Sequence, residues 1–139
     1  MYEIKISYVT VDKHGNDKTV KESLILEHSE SFADAEQIGY DYGSGLTAVD
    51  VTDIKRSKLK EIVNERPFGD ETCKIYVAQI VDHFVDLETE ETKVIKYSVA
   101  LFAHDMKEAN QAIEQYMKQG LEDMDLVGIK ETSFNDVLK

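Results

Sequence analysis

Cysteine and proline are almost absent from this sequence, and tryptophan is missing. The chain of 139 residues has one cysteine, Cys73, and one proline, Pro67. A single cysteine excludes a disulfide within the chain and is typical of a reducing compartment, so we expect a cytoplasmic location. Cys73 has no evident basic partner in the sequence, and we therefore expect its thiol to be inert rather than nucleophilic.

Positive charge is also scarce. The chain has 16 lysines and arginines against 28 aspartates and glutamates, which gives a formal net charge of −12. Such a chain repels phosphate backbones and anionic bilayers, so general nucleic-acid binding and membrane docking are disfavoured. No apolar run approaches the roughly 20 residues of a membrane span, and the first residues predict a strand rather than a signal peptide. We therefore expect a protein as the partner.

Motifs for metal binding or catalysis are absent as well. The four histidines form no HxxxH pair, and no CxxC occurs. Asp82 and His83 would point to opposite faces of a strand, which argues against an acid–base pair. The acidic run at residues 86–91 lacks the glycine of a calcium loop, and we interpret it as a solvated hairpin turn. The sequence predicts no catalytic residue, no metal ligand and no cofactor, and leaves open whether its carboxylates attract a cation.

What the sequence does contain is a strong helix with an earlier counterpart. Apolar residues at three- and four-residue spacing predict one helix after Asp105 and another after Ser31, and both of these residues are suitable N-caps. Gly120 is the predicted end of the later helix. Gly39 lies inside the earlier helix and costs it about 1 kcal/mol relative to alanine. We therefore expect the earlier helix to depend on tertiary packing.

Identical residues recur outside the helices at the same offset of 74 or 75 positions. Examples are the pairs Tyr2 and Tyr76, Ile6 and Ile80, Leu46 and Leu121, and Ile54 and Ile129. Each half has the pattern strand–strand–helix–strand, so we predict an α+β fold built from a duplicated ββαβ unit with a pseudo-twofold axis. The predicted antiparallel sheet carries both helices on one face. The first repeat is assigned to residues 1–63, the linker to 64–72 and the second repeat to 73–139, within one compact domain overall.

Apolar residues occupy both faces of the first strand predicted for the second repeat. Two helices can cover only one face of the sheet, so the other must be covered by the chain itself or by a partner. We expect either intramolecular burial or an interface, most simply that of a twofold homodimer. The residues on this face are Ile75, Val77, Val81, Val85, Val94 and Phe102.

Two tyrosines occupy matching positions in the predicted helices. Tyr42 and Tyr116 are related by the 74-residue offset of the repeat. We interpret them as twin core residues, and the alternative is that they line a ligand cleft.

Segments from both halves carry a resemblance to a known family. They are residues 2–6, 31–36, 51–56, 101–103, 106–109 and 129–137. With these segments the chain resembles domain-of-unknown-function family 4494, which occurs in Bacteroides-type bacteria and their phages. The resemblance implies a small cytoplasmic protein of phage or mobile-element context, and it implies no catalytic residues.

Three functions remain open on the sequence alone. The leading hypothesis is a non-enzymatic acidic binding protein of phage or mobile-element origin that inhibits a host protein by occupying a basic site. The alternative is a protein that binds a small ligand such as a nucleotide or a signal molecule. A small hydrolase that uses some of the scattered carboxylates is the second alternative.

Overall fold

The computed structural model describes residues 1–119 and 123–139. Within these ranges the chain forms eight strands and two helices. In the first half they are β1 (Tyr2–Val11), β2 (Asp17–Leu26), α1 (Phe32–Tyr42), β3 (Thr47–Arg56) and β4 (Leu59–Ile62). In the second half they are β5 (Lys74–Val85), β6 (Thr92–Ala103), α2 (Met106–Lys118), β7 (Asp123–Glu131) and β8 (Asp136–Leu138). The predicted helix end at Gly120 and the repeat position Leu121 lie outside the described residues.

The strands form two four-stranded sheets rather than the single sheet that the sequence predicts. Their strand orders are β3-β1-β2-β8 and β4-β6-β5-β7. Each sheet carries one helix, because α1 packs on β1 and β3 while α2 packs on β6 and β7. The α+β class is confirmed, and the placement of both helices on one sheet is corrected. The physical reason is that both outer edges of each hairpin are already paired with other strands, so the two hairpins do not pair with each other.

The chain divides into two compact units whose limits differ from those of the sequence repeats. The first unit comprises Met1–Ser57 and Ser133–Lys139, and the second comprises Lys58–Thr132. Strand β8 lies at the end of the second repeat but pairs in parallel with β2 of the first unit. Strand β4 lies at the end of the first repeat but pairs in parallel with β6 of the second unit. Each unit is therefore completed by a short exchanged strand, and the predicted linker at 64–72 lies within the second unit.

Helix α1 and its sheet form the core of the first unit. Tyr2, Ile4 and Ile6 of β1 are buried and alternate with more exposed residues, as the period of two predicts. The predicted N-cap is confirmed, because the backbone N–H of Asp34 donates to Ser31 Oγ at 3.1 Å. Helix α1 has 11 residues. A helix of this length gains most of its stability from packing against the rest of the protein rather than from intrinsic helix propensity.

Gly39 allows α1 to lie close to the sheet. A Cβ atom at this position would lie 2.8 Å from Val51 Cγ2 and 3.0 Å from Ile4 Cδ1. The repeat places Ile113 at the corresponding position of α2, where its side chain is completely buried. Gly39 therefore lowers helix propensity but fits the close packing of α1 on the sheet. An alanine at this position would require its neighbours to shift.

The second unit has a larger core of the same type. Tyr76 and Ile80 of β5 and Leu101 of β6 pack with Ile113 of α2, and all four are buried. The N-cap of α2 is confirmed, because Asp105 Oδ1 accepts a hydrogen bond from the backbone N–H of Glu108 at 2.8 Å. Neither described helix combines the length and the apolar character that crossing a lipid bilayer requires.

Both repeats have the same internal order of strands. The third strand of each repeat pairs with the first, and the first pairs with the second, giving β3-β1-β2 and β7-β5-β6. This is the arrangement that a duplicated ββαβ unit predicts. Superposition of the two repeats about a pseudo-twofold axis stays a prediction.

Candidate functional site

The six residues of the predicted interface fall into two groups. Ile75, Val77 and Phe102 are buried within the chain, with 2%, 8% and 7% of their surface exposed. They offer no open surface to a partner, so for these three residues the alternative of burial within the chain applies. Val85 and Val94 are exposed by 57% and 50%, and Val81 is partly exposed. An interface through Val81, Val85 and Val94 stays a prediction.

The exposed valines belong to the end of the β5–β6 hairpin, which we define as residues 84–95. Among the described residues, β7 pairs with β5 only as far as His83, and β4 pairs with β6 only from Ser98 onward. The hairpin end is thus a two-stranded ribbon that these neighbouring strands do not flank. Leu87 and Ile95 add to its exposed aliphatic surface, at 92% and 50%.

The acidic turn of the hairpin end is closed by its own contacts. Asp86 Oδ2 lies 2.7 Å from Lys93 Nζ, and Asp86 Oδ1 accepts a hydrogen bond from the backbone N–H of Glu88 at 2.9 Å. The ammonium of Lys93 holds the pKa of Asp86 below its usual value. These contacts agree with the interpretation of residues 86–91 as a hairpin turn.

The two matching tyrosines lie in different units. The hydroxyl of Tyr42 donates to Glu22 Oε2 at 2.9 Å, and that of Tyr116 donates to Glu61 of β4. Burial and then the Glu22 carboxylate raise the pKa of Tyr42 to about 12, and burial and Glu61 raise the pKa of Tyr116. Tyr116 is partly buried against the core of the second unit, whereas Tyr42 is 37% exposed, so the interpretation as twin core residues is corrected for Tyr42. Each phenol is bound to a carboxylate of its own unit, and a ligand cleft lined by both stays a prediction.

Side chains of three types that commonly ligate metals meet at one end of the second unit. Asp70 lies in the turn after Gly69, Cys73 directly precedes β5, and His104 lies between β6 and the N-cap of α2. The terminal pair of the hairpin, Lys74 and Ala103, brings the residues beside it together. As a result, Cys73 Sγ lies 3.5 Å from His104 Nε2 and 3.7 Å from Asp70 Oδ2.

The histidine of this Asp70–Cys73–His104 cluster is held by carboxylates on both ring nitrogens. His104 Nδ1 lies 2.9 Å from both carboxylate oxygens of Glu108, and Nε2 lies 2.6 Å from Asp70 Oδ2. Glu108, followed by Asp70, raises the pKa of His104. Hydrogen bonds from Thr72 and then from His104 hold the pKa of Asp70 well below its usual range.

A cysteine nucleophile would require a different arrangement from the one observed. Such a residue needs a lowered pKa and a base that is free to accept its proton. Burial, followed by the charge of Asp70, raises the pKa of Cys73. The nearer partner of His104 Nε2 is Asp70 rather than Cys73. The expectation that Cys73 has no basic partner is corrected, whereas the geometry agrees with a thiol that is not activated.

The family of the chain follows from a match over its whole length. The family model described as "Domain of unknown function (DUF4494)" matches residues 1–139. The chain belongs to this family. No curated protein and no solved structure matches it. The DUF4494 match includes both compact units and both exchanged strands, so the predicted resemblance is confirmed for residues 1–139.

The Asp70–Cys73–His104 cluster of this DUF4494 chain was not predicted from the sequence. Cys73 and His104 are 31 residues apart, and no short motif connects them. A signal was nevertheless present, because the predicted hairpin turn at residues 86–91 sets a register in which Cys73 and His104 lie opposite each other. Asp70 comes from an irregular turn, for which no periodic pattern exists.

Proposed function

We propose that the chain is a non-enzymatic binding protein that uses the hairpin end to contact a basic surface of a partner protein. The observation that carries this proposal is the group of four exposed aliphatic residues, Val85, Leu87, Val94 and Ile95, on a single ribbon. Single exposed aliphatic residues are ordinary, whereas a concentration of them on one projecting element is typical of interaction sites.

Charge supports a partner of opposite sign over a second copy of the chain. The turn between the exposed aliphatic residues carries Asp86, Glu88, Glu90 and Glu91, and the whole chain has a net charge of −12. Like charges oppose self-association, and an acidic turn beside exposed aliphatic residues accelerates the encounter with a basic, partly apolar surface. A host protein with an anion-binding site is the class of partner that this surface and the family resemblance suggest.

Capture from lysates of a bacterium that carries the gene tests the proposal if matched variants are compared. We expect the double variant Val85→Thr with Leu87→Ser to reduce capture of the partner about tenfold or more, since burial of each aliphatic side chain contributes about 1.5–3 kcal/mol and about 1.4 kcal/mol corresponds to a factor of ten. The control is Val11→Thr, because Val11 occupies the repeat position of Val85 in the first unit and is similarly exposed, at 62%.

Two results of this comparison would contradict the proposal. In one, the Val11→Thr control loses the captured protein to the same extent as the double variant. In the other, no protein is captured by the wild type and lost in the double variant. Light scattering after size exclusion measures the oligomeric state as a separate test. A wild-type dimer that becomes monomeric in the double variant would identify a second copy as the occupant.

A pocket in the second unit favours the small-ligand alternative. It has a volume of about 470 Å³, and its lining includes Lys58 and Lys96 beside Gln79 and Ser98. This volume falls within the usual range of ligand pockets, and two ammonium groups with two uncharged polar side chains suit a small anion. Native mass spectrometry of the chain purified without denaturation distinguishes the functions, because a retained small molecule that Lys96→Met releases supports this alternative.

A further inference from the structure

We propose that Asp70, Cys73 and His104 form a binding site for a Zn²⁺-type transition-metal ion. The thiol sulfur, the imidazole Nε2 and one carboxylate oxygen of these residues all lie within 4.8 Å of one another. They come from three segments of the second unit, namely the turn after Gly69, the residue before β5 and the residue after β6. The site goes beyond the proposed binding function, because it lies at the opposite end of the hairpin from residues 84–95.

Two of the three distances between the ligand atoms fit a tetrahedral ion. Zinc bonds of about 2.3 Å to sulfur and about 2.0–2.2 Å to nitrogen or oxygen place tetrahedral ligand atoms about 3.4–3.6 Å apart. The sulfur lies 3.5 Å from His104 Nε2 and 3.7 Å from Asp70 Oδ2. The third distance, between His104 Nε2 and Asp70 Oδ2, is that of a hydrogen bond, 2.6 Å. It must lengthen by somewhat less than 1 Å when the cation replaces the shared proton.

A second layer of hydrogen bonds already orients two of the ligands. His104 Nδ1 faces the carboxylate of Glu108 at 2.9 Å, which is the usual arrangement behind a metal-bound histidine. Asp70 Oδ1, the oxygen turned away from the cluster, accepts hydrogen bonds from the hydroxyl and the backbone N–H of Thr72 at 2.5 and 3.0 Å. Nε2 and Oδ2 are therefore the atoms directed toward the shared centre.

The ligand set selects the class of ion. Thiolate and imidazole favour zinc and similar late transition metals over Ca²⁺ and Mg²⁺, which require oxygen ligands. Three protein ligands leave one tetrahedral position for water. Cys73 is buried, whereas 41% of the His104 side chain is exposed, so the open position faces the solvent side. Binding transfers the thiol proton and the proton between His104 and Asp70 to the solvent, so affinity should fall with decreasing pH.

Cobalt(II) substitution of the full chain tests the site directly. After removal of metals with a chelator, we expect Co²⁺ to give the charge-transfer absorption of a cobalt–thiolate bond and the intense visible bands of tetrahedral cobalt, and Zn²⁺ to displace both. Cys73→Ser should abolish the thiolate band, and His104→Gln should weaken binding at least tenfold. Glu108→Gln should keep the thiolate band but weaken affinity about 10- to 100-fold, as expected of a positioning residue.

A histidine from the same unit provides the matched control. His83 Nε2 lies 3.0 Å from Asp125 Oδ2, so this pair resembles the cluster but has no cysteine. His83→Gln should leave the cobalt spectrum and the Zn²⁺ affinity unchanged. The proposal is overturned if wild-type protein gives no thiolate band, or if Cys73→Ser and His104→Gln bind Zn²⁺ as tightly as wild type. Near-UV circular dichroism without metal confirms that each variant is folded before it is compared.

Discussion

Deletion of residues 133–139 is expected to unfold the first unit while the second unit stays folded. The segment supplies β8, and hydrogen bonds flank it at both ends: the backbone N–H of Asn135 donates to Ser23 O at 2.8 Å, and that of Glu27 donates to Leu138 O at 3.0 Å. Asn135 Oδ1 also accepts from the N–H of Ser23 at 2.9 Å, and Leu138 packs on the core. Losing these three hydrogen bonds and one aliphatic contact costs about 3–5 kcal/mol, and the deletion also removes the β2–β8 ladder itself. That cost is comparable with the whole stability of a unit this small.

Hydrogen exchange measured by mass spectrometry resolves the two units separately. We expect loss of protection in β1 and β2 and unchanged protection in β5 and α2. The variant Ser133→Ala, which keeps β8, serves as the control and should behave as wild type. Retained protection of β1 and β2 after the deletion would show that β8 is dispensable, and equal loss in both units would show that they unfold as one.

Replacement of Gly39 by isoleucine should destabilise the first unit by about 3 kcal/mol or more, because overpacking a closed core usually costs 1–3 kcal/mol for smaller additions. The chain itself suggests this substitution, since Ile113 occupies the equivalent position in the second unit. Gly39→Ala is the more informative variant. Helix propensity favours it by about 1 kcal/mol, whereas its Cβ would approach Val51 Cγ2 to 2.8 Å.

We expect the cost of the close contact with Val51 to exceed the gain in helix propensity, so that Gly39→Ala lowers the free energy of unfolding. Urea unfolding followed by a signal from the first unit measures the difference. Gly128→Ala, followed by a signal from the second unit, is the control for the same substitution without a close neighbour, because a Cβ atom there has no described neighbour within 4 Å. If the Gly39→Ala protein were more stable than wild type, α1 would have moved away from the sheet at little cost. The gain in helix propensity would then be larger than the loss of packing.

Sequence reasoning located the helices and the longer strands because their signals are local. Ser31 and Asp105 are N-caps in the structure, and the buried positions of β1 alternate as predicted. Strands β4 and β8 have four and three residues, which is too short for a periodic pattern. Their partners are far away in the sequence, so the division into two sheets could not be deduced from periodicity.

The candidate sites show the same division between local and long-range information. Exposure of Val85 and Val94 could not be distinguished from burial of Ile75 and Val77, because all four belong to one alternating pattern on a single face. Burial depends on what lies over that face, which the pattern of one strand does not contain. Cys73 and His104 could have been paired from the register of the hairpin, whereas the position of Asp70 depends on the turn at Gly69.

The exchange of β4 and β8 imposes an order on biosynthesis. A ribosome completes every strand of the second unit when it has made Thr132, but the first unit lacks β8 until residues 133–139 have emerged. The half of the chain made first is therefore the half completed last, contrary to the usual vectorial order of domains. During translation the outer edge of β2 at Leu24–Leu26 stays unpaired and available to other strands. A chain truncated before residue 133 consequently contains the described strands of the second unit but lacks β8 of the first.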